Sequence, residues 1–167
     1  MGFILTDEII KNANTYIPLA EKAALAEMVA QKCLEDTGAR AKGDIFPPLK
    51  RENVVMKSLL LMQVLLEKYL KIDTPDEFRA KDYDEYASAH LLNQLERYKR
   101  DVTLKDKTFD LVADYKEFEK YVNTAIFNIK ASENDGLTRF ADAVKLMGTP
   151  ENIEKLSAEL RALGEQK

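Results

Sequence analysis

The chain has 167 residues, of which 46% are hydrophobic and 32% charged, a balance that suits one globular domain able to bury roughly 70% of its unfolded surface. Acidic residues outnumber basic ones by four, which argues against a nucleic-acid-coating role. A single cysteine and a single histidine exclude an internal disulfide framework, a cysteine-rich zinc site and any motif that needs two histidines.

The stretch from Met1 to Ile10 has no basic start and no long apolar core, so a secretory leader is not expected. Met1-Gly2-Phe3-Ile4-Leu5-Thr6 matches the bare myristoylation pattern, but Asp7-Glu8 follows in place of a basic patch. Thr6 is therefore expected to be the N-cap of a first helix running from Asp7 to about Asn14. A second helix is expected from Pro18 to about Glu35, closed by Gly38. Its alanines at 20, 23, 24, 26 and 30 would let a neighbouring helix approach closely. Cys33 reads as a small core residue. The segment Thr37–Lys50 reads as a connection in which Arg40 and Lys42, beside Gly38 and Gly43, form a weak candidate anion-binding loop. Packing of Ile45 and Phe46 is the stronger reading of the same loop.

Glycine is missing between Asp44 and Asp135, and Pro75 is the one proline between Leu49 and Thr149. A β-rich chain would need turn residues every 8–12 residues or so, so the expected class is all-α: one bundle of about seven helices, forming a single domain over residues 1–167. Its centre is expected to be a helix over 51–72, apolar on more than one face, with Leu61 and Leu65 in the interior. The most apolar stretch, Val54–Leu66, contains Lys57, Ser58 and Gln63 and falls short of the roughly 20 residues that span a bilayer. Membrane association is therefore not expected, and the expected location is the cytoplasm.

A fourth helix begins at Pro75 or, with Asp82 and Glu85 as a capping box, near Tyr83, and runs on to about Asp101. The fifth spans about Lys105–Ala131, with a heptad seam at Leu111, Tyr115, Phe118, Val122, Ala125 and Ile129. Asn134-Asp135-Gly136 breaks the chain before a C-terminal helical hairpin over 137–164, whose halves carry Leu137, Phe140, Val144, Met147 and Ile153, Leu156, Leu160, Leu163.

The segment Asp73–Tyr86 holds six acidic and two basic residues, which matches the whole net charge. Asp82, Asp84 and Tyr86 do not fit the calcium-loop pattern, and Ala87 stands where a di-iron Glu-x-x-His would need glutamate. No metal ligand set, catalytic residue or cofactor is therefore assigned, and the acidic residues read as helix N-termini. On a continuous helix at 100° per residue, Asp82, Tyr86, His90, Asn93 and Arg97 share one polar arc opposite Leu91, Leu95 and Tyr98. That arc is the expected partner-binding surface, since tyrosine and arginine are enriched in binding hot spots. No nucleophile elbow, phosphate loop or dinucleotide fingerprint occurs. The expected function is a non-catalytic interaction or assembly module, bound to another protein or to copies of itself. The alternative is a helical enzyme or ligand-binding protein using Asp82, Asp84 and Glu85 near His90.

Overall fold

The computed structural model describes residues 3–36, 49–98 and 104–149. Along them run α1 (Asp7–Asn12), α2 (Leu19–Cys33), β1 (Leu34–Asp36), β2 (Lys50–Glu52), α3 (Val54–Val64) with a π-helical turn (Leu65–Tyr69), α4 (Ala80–Ser88), α5 (Leu91–Tyr98), α6 (Lys105–Asn134) and α7 (Gly136–Met147). The fold is all-α apart from the two-stranded ribbon β1–β2. No helix among the described residues is long and apolar enough to cross a membrane. Arg40, Lys42 and the second half of the expected C-terminal hairpin lie outside the described residues.

The chain divides into two compact units. The larger comprises residues 1–34 and 52–127. In it Thr6 caps α1, accepting from the Ile9 N–H at 3.4 Å. Helix α2 packs on α3, and Ala26 and Ala30 are buried while Ala20, Ala23 and Ala24 face outward. Only part of the alanine surface thus serves the close approach. Helix α2 stops at Cys33, before Gly38, because the chain turns extended to pair β1 with β2. Cys33 is fully buried and donates its thiol to the Ala30 carbonyl.

The central helix is shorter than its apolar run. Asn53 caps it, its side chain accepting from the Met56 N–H at 2.9 Å, because residues 50–52 are committed to the ribbon. Val54 and Val55 are largely exposed, and interior packing begins at Leu60. From there Leu60, Met62, Val64, Leu65, Leu66, Tyr69 and Leu70 are buried, with Leu61 half-buried. Helix α6 runs antiparallel to α3, as two contacts show: the Tyr115 hydroxyl reaches the Leu61 carbonyl, and Lys57 Nζ reaches Asn123 Oδ1 at 2.6 Å.

On α6 the buried stripe is Thr108, Leu111, Val112, Tyr115, Phe118, Val122 and Ile126. The expected seam holds from Leu111 to Val122, then moves to Ile126, leaving Ala125 and Ile129 half-buried. A straight helix drifts by about 20° per heptad against a 3.5-residue repeat, and this is the drift observed.

The smaller unit comprises residues 35–51 and 128–167. Within it Lys50 is the junction: its ammonium meets Asp36 at 3.0 Å and Glu133 at 3.5 Å, and its backbone exchanges hydrogen bonds with the Asn134 carboxamide. The expected break at Asn134–Gly136 is present. Asp135 caps α7 by accepting from the Thr138 N–H at 3.1 Å, and the Gly148 N–H closes the helix on Val144. Phe140 and Val144 remain exposed on α7.

Candidate functional site

The polar arc inferred from a continuous fourth helix is divided by a corner. Helix α4 ends at Ser88, Ala89 closes it, and His90 takes φ 53° before α5 starts at Leu91. No glycine or proline marks the break; a side chain five residues on supports it. Gln94 Nε2 donates to the Ala89 carbonyl at 2.7 Å and to the Phe3 carbonyl at 3.2 Å, while its Oε1 accepts from the Leu5 N–H at 2.6 Å. One carboxamide thereby satisfies backbone groups of the corner and of the N-terminal strap, residues 3–5. Tyr98 adds to the clasp by donating to the Leu5 carbonyl at 3.1 Å.

The corner places the arc residues unequally. Asp82 sits in the first turn of α4 and accepts from the Arg79 N–H at 2.9 Å, so the helix starts three residues before the expected capping-box position. Tyr86 is half-buried, its ring 4.9 Å from Phe3 and 6.4 Å from Phe78 between centroids. Burial, then the charges of Glu85 and Asp82, push its phenol above the ordinary tyrosine pKa. Tyr86, His90 and Asn93 line a cleft of about 250 Å³ together with Met62, Tyr83, Ala87, Leu91 and Leu92. Arg97 is exposed but does not line it. The structure thus brings together three of the five arc residues and adds Tyr83 and Leu92.

A second depression, of about 230 Å³, adjoins the first across Leu92. Leu65, Leu92, Leu95, Glu96, Leu111, Val112, Tyr115, Lys116 and Glu119 form it. Burial pushes the Glu119 carboxyl above the ordinary range, against the opposing charges of Lys116 and Lys57. Leu92 itself is 52% exposed and lines both depressions.

A different polar cluster lies inside the larger unit and was not among the candidate sites read from the sequence. Lys22, on the Ala-rich helix α2, is only 4% exposed. Its ammonium donates to Asp114 at 2.6 Å and Glu117 at 2.5 Å. Asp114 also accepts from the Tyr69 hydroxyl at 2.8 Å and the Ile17 N–H at 3.1 Å. Burial works against the Lys22 charge, but the hydrogen bonds and charges of Asp114 and Glu117 outweigh it and hold the pKa above the ordinary lysine value. Burial and the bond to Asp114 likewise keep Tyr69 protonated well beyond the usual range. Every member has a partner, so the cluster stitches α2, the π turn and α6 together. Its one sequence signal was the i, i+3 pair Asp114/Glu117 beside the α6 seam.

Among the described residues, no group of three or more His, Cys, Asp or Glu side chains is placed to hold a metal ion. Asp84 and Glu85 are exposed and do not line the cleft. Comparison with known proteins found no matching family model, no similar curated protein and no similar solved structure.

Proposed function

We propose that the chain is a non-catalytic interaction or assembly module whose contact surface is the face of α5 around Leu92. The observation that carries this reading is the pair of depressions separated by one exposed leucine. Folding gains little from leaving Leu92 in water, whereas a partner that covers it gains apolar burial and two adjoining sockets. Tyr83, Tyr86, His90 and Asn93 supply a polar margin on one side, Glu96, Lys116 and Glu119 on the other. This is how interfaces are commonly built, with an apolar anchor inside a polar rim.

Leu92→Glu tests it. Because the side chain is exposed, Tm should stay within about 2 °C of the parent value, which corresponds to a surface substitution. Sedimentation equilibrium over a range of concentrations should show self-association, or association with a purified partner, that this variant loses. A parent chain that stays monomeric, and whose Tm rises by several degrees with one metal or small ligand, would instead support a ligand-binding protein or enzyme using Asp82, Asp84 and Glu85 near His90.

A further inference from the structure

The corner between α4 and α5 stands where local preference favours helix. Residues 80–98 hold no glycine or proline, and the break falls at Ser88-Ala89-His90, which includes alanine, the strongest helix former. The strain is visible at His90, whose φ of 53° crowds its β-carbon against the next carbonyl. A kink without glycine or proline arises where a side chain enters the backbone ladder, and Gln94 is that side chain. Its Nε2 takes the Ala89 carbonyl, which in an unbroken helix would accept from the Asn93 N–H. The same carboxamide holds the N-terminal strap through the Phe3 carbonyl and the Leu5 N–H, while Tyr98 holds the Leu5 carbonyl. Strap and corner are thus fastened by one group. The two helices are anchored unequally. Helix α5 buries Leu91, Leu95 and Tyr98, whereas no residue of α4 is fully buried. The non-helical link 70–79 joins α4 to the π turn, so α4 is the arm that can swing with little loss of burial.

We propose that the corner is a two-state switch set by the strap. With residues 3–5 docked, Gln94 holds the Ala89 carbonyl and the chain turns at His90. With them released, nothing offsets the strained φ, the Ala89 carbonyl returns to the Asn93 N–H, and residues 80–98 run as one helix. The two states present different surfaces. Tyr83 and Leu92 line one cleft across the corner; on a single helix they stand nine residues apart and face opposite sides. The straight form instead aligns Asp82, Tyr86, His90, Asn93 and Arg97 along one face. Capture of residues 3–5 elsewhere therefore erases the cleft and presents the aligned face. Neither the switch nor its test needs a partner at Leu92, so it stands apart from the interaction reading.

Spin labels on Lys81→Cys and Arg97→Cys, both exposed positions, read the corner in the full chain, since Cys33 is fully buried and takes no label. Hydrogen exchange of the Leu5 amide, referred to the amides of α6, reads strap docking. Gln94→Met keeps the length of the side chain and removes its hydrogen bonds. It should lengthen the 81–97 separation toward about 24 Å, the span of a single helix, and in step lose the Leu5 protection. His90→Gly relieves the strained φ and weakens the straight helix, so it should raise Leu5 protection about tenfold. That response is what coupling between hinge and strap requires, and it keeps the test readable if Gln94→Met disturbs folding. A Gln94→Met chain that loses Leu5 protection with the 81–97 distance unchanged overturns the proposal. So does a His90→Gly chain whose Leu5 protection matches that of the parent.

Discussion

Among the described residues, two hold backbone angles that their side chains oppose. Lys71 (φ 55°) and His90 (φ 53°) each follow a helix end, in the left-handed region where a β-carbon crowds the next carbonyl at a cost of about 1–2 kcal/mol. Lys71→Gly should therefore raise stability by about 1 kcal/mol, less a few tenths for the extra freedom of the unfolded chain. Urea denaturation should show a higher midpoint with an unchanged slope. Glu119 is the other residue working against the fold. Burial raises its pKa, so the folded chain binds that proton more tightly than the unfolded chain. Its contribution is zero in acid and becomes unfavourable as pH rises through the carboxylate range. Glu119→Gln should stabilise the chain at pH 7 and change nothing near pH 3, and equal gains at both pH values would refute this origin.

Among the elements, the Lys22–Asp114 pair joins helices 92 residues apart in sequence. Asp114→Ala would strand the buried ammonium on Glu117 alone and leave the Tyr69 hydroxyl and the Ile17 N–H without their acceptor. The expected loss is about 3–5 kcal/mol, and adding Lys22→Met should recover part of it, since removing both charges costs less than orphaning one. A double-mutant cycle in chemical denaturation measures that recovery. Leu65, 1% exposed in the π turn, should lose about 2–5 kcal/mol on truncation to alanine, and the half-buried Leu61 less. What the sequence disclosed at this scale follows a physical divide. Local signals were legible: Thr6 as a cap, the break at Asn134–Gly136, and the α6 seam as far as Val122. The π turn, the ribbon that shortens α2 and α3, and the corner at His90 depend on partners far along the chain. For the site, Tyr86, His90 and Asn93 were within reach of a helical wheel. Tyr83 and Leu92 became visible only when the corner turned α5 away from the axis of α4.

For the molecule as a whole, the pKa shifts that are resolved among the described residues all point upward: Lys22, Cys33, Lys50, Tyr69, Tyr86, Tyr115 and Glu119. The thiol, the phenols and the ammonium groups keep their protons when folded at pH values where the unfolded chain has begun to lose them. Their contribution is complete below about pH 8.5 and declines as pH rises past the unfolded values, roughly 8.5 for thiol, 10 for phenol and 10.4 for ammonium. Denaturation midpoints measured from pH 7 to 11 should fall steadily on the alkaline side, and a flat profile would contradict the shared direction. The N-terminal strap has a further consequence, one of timing. Gln94 grips Leu5 across 89 residues of chain, so the corner that shapes the α5 surface must wait for α5 to be synthesised before the strap can dock. A nascent chain halted before Gln94 would have the Tyr86 ring against Phe3 but lack the carboxamide that holds the backbone of residues 3–5. The surface should then mature in one late step, seen as a lag between helix formation and protection of the Leu5 amide in pulse-labelled hydrogen exchange.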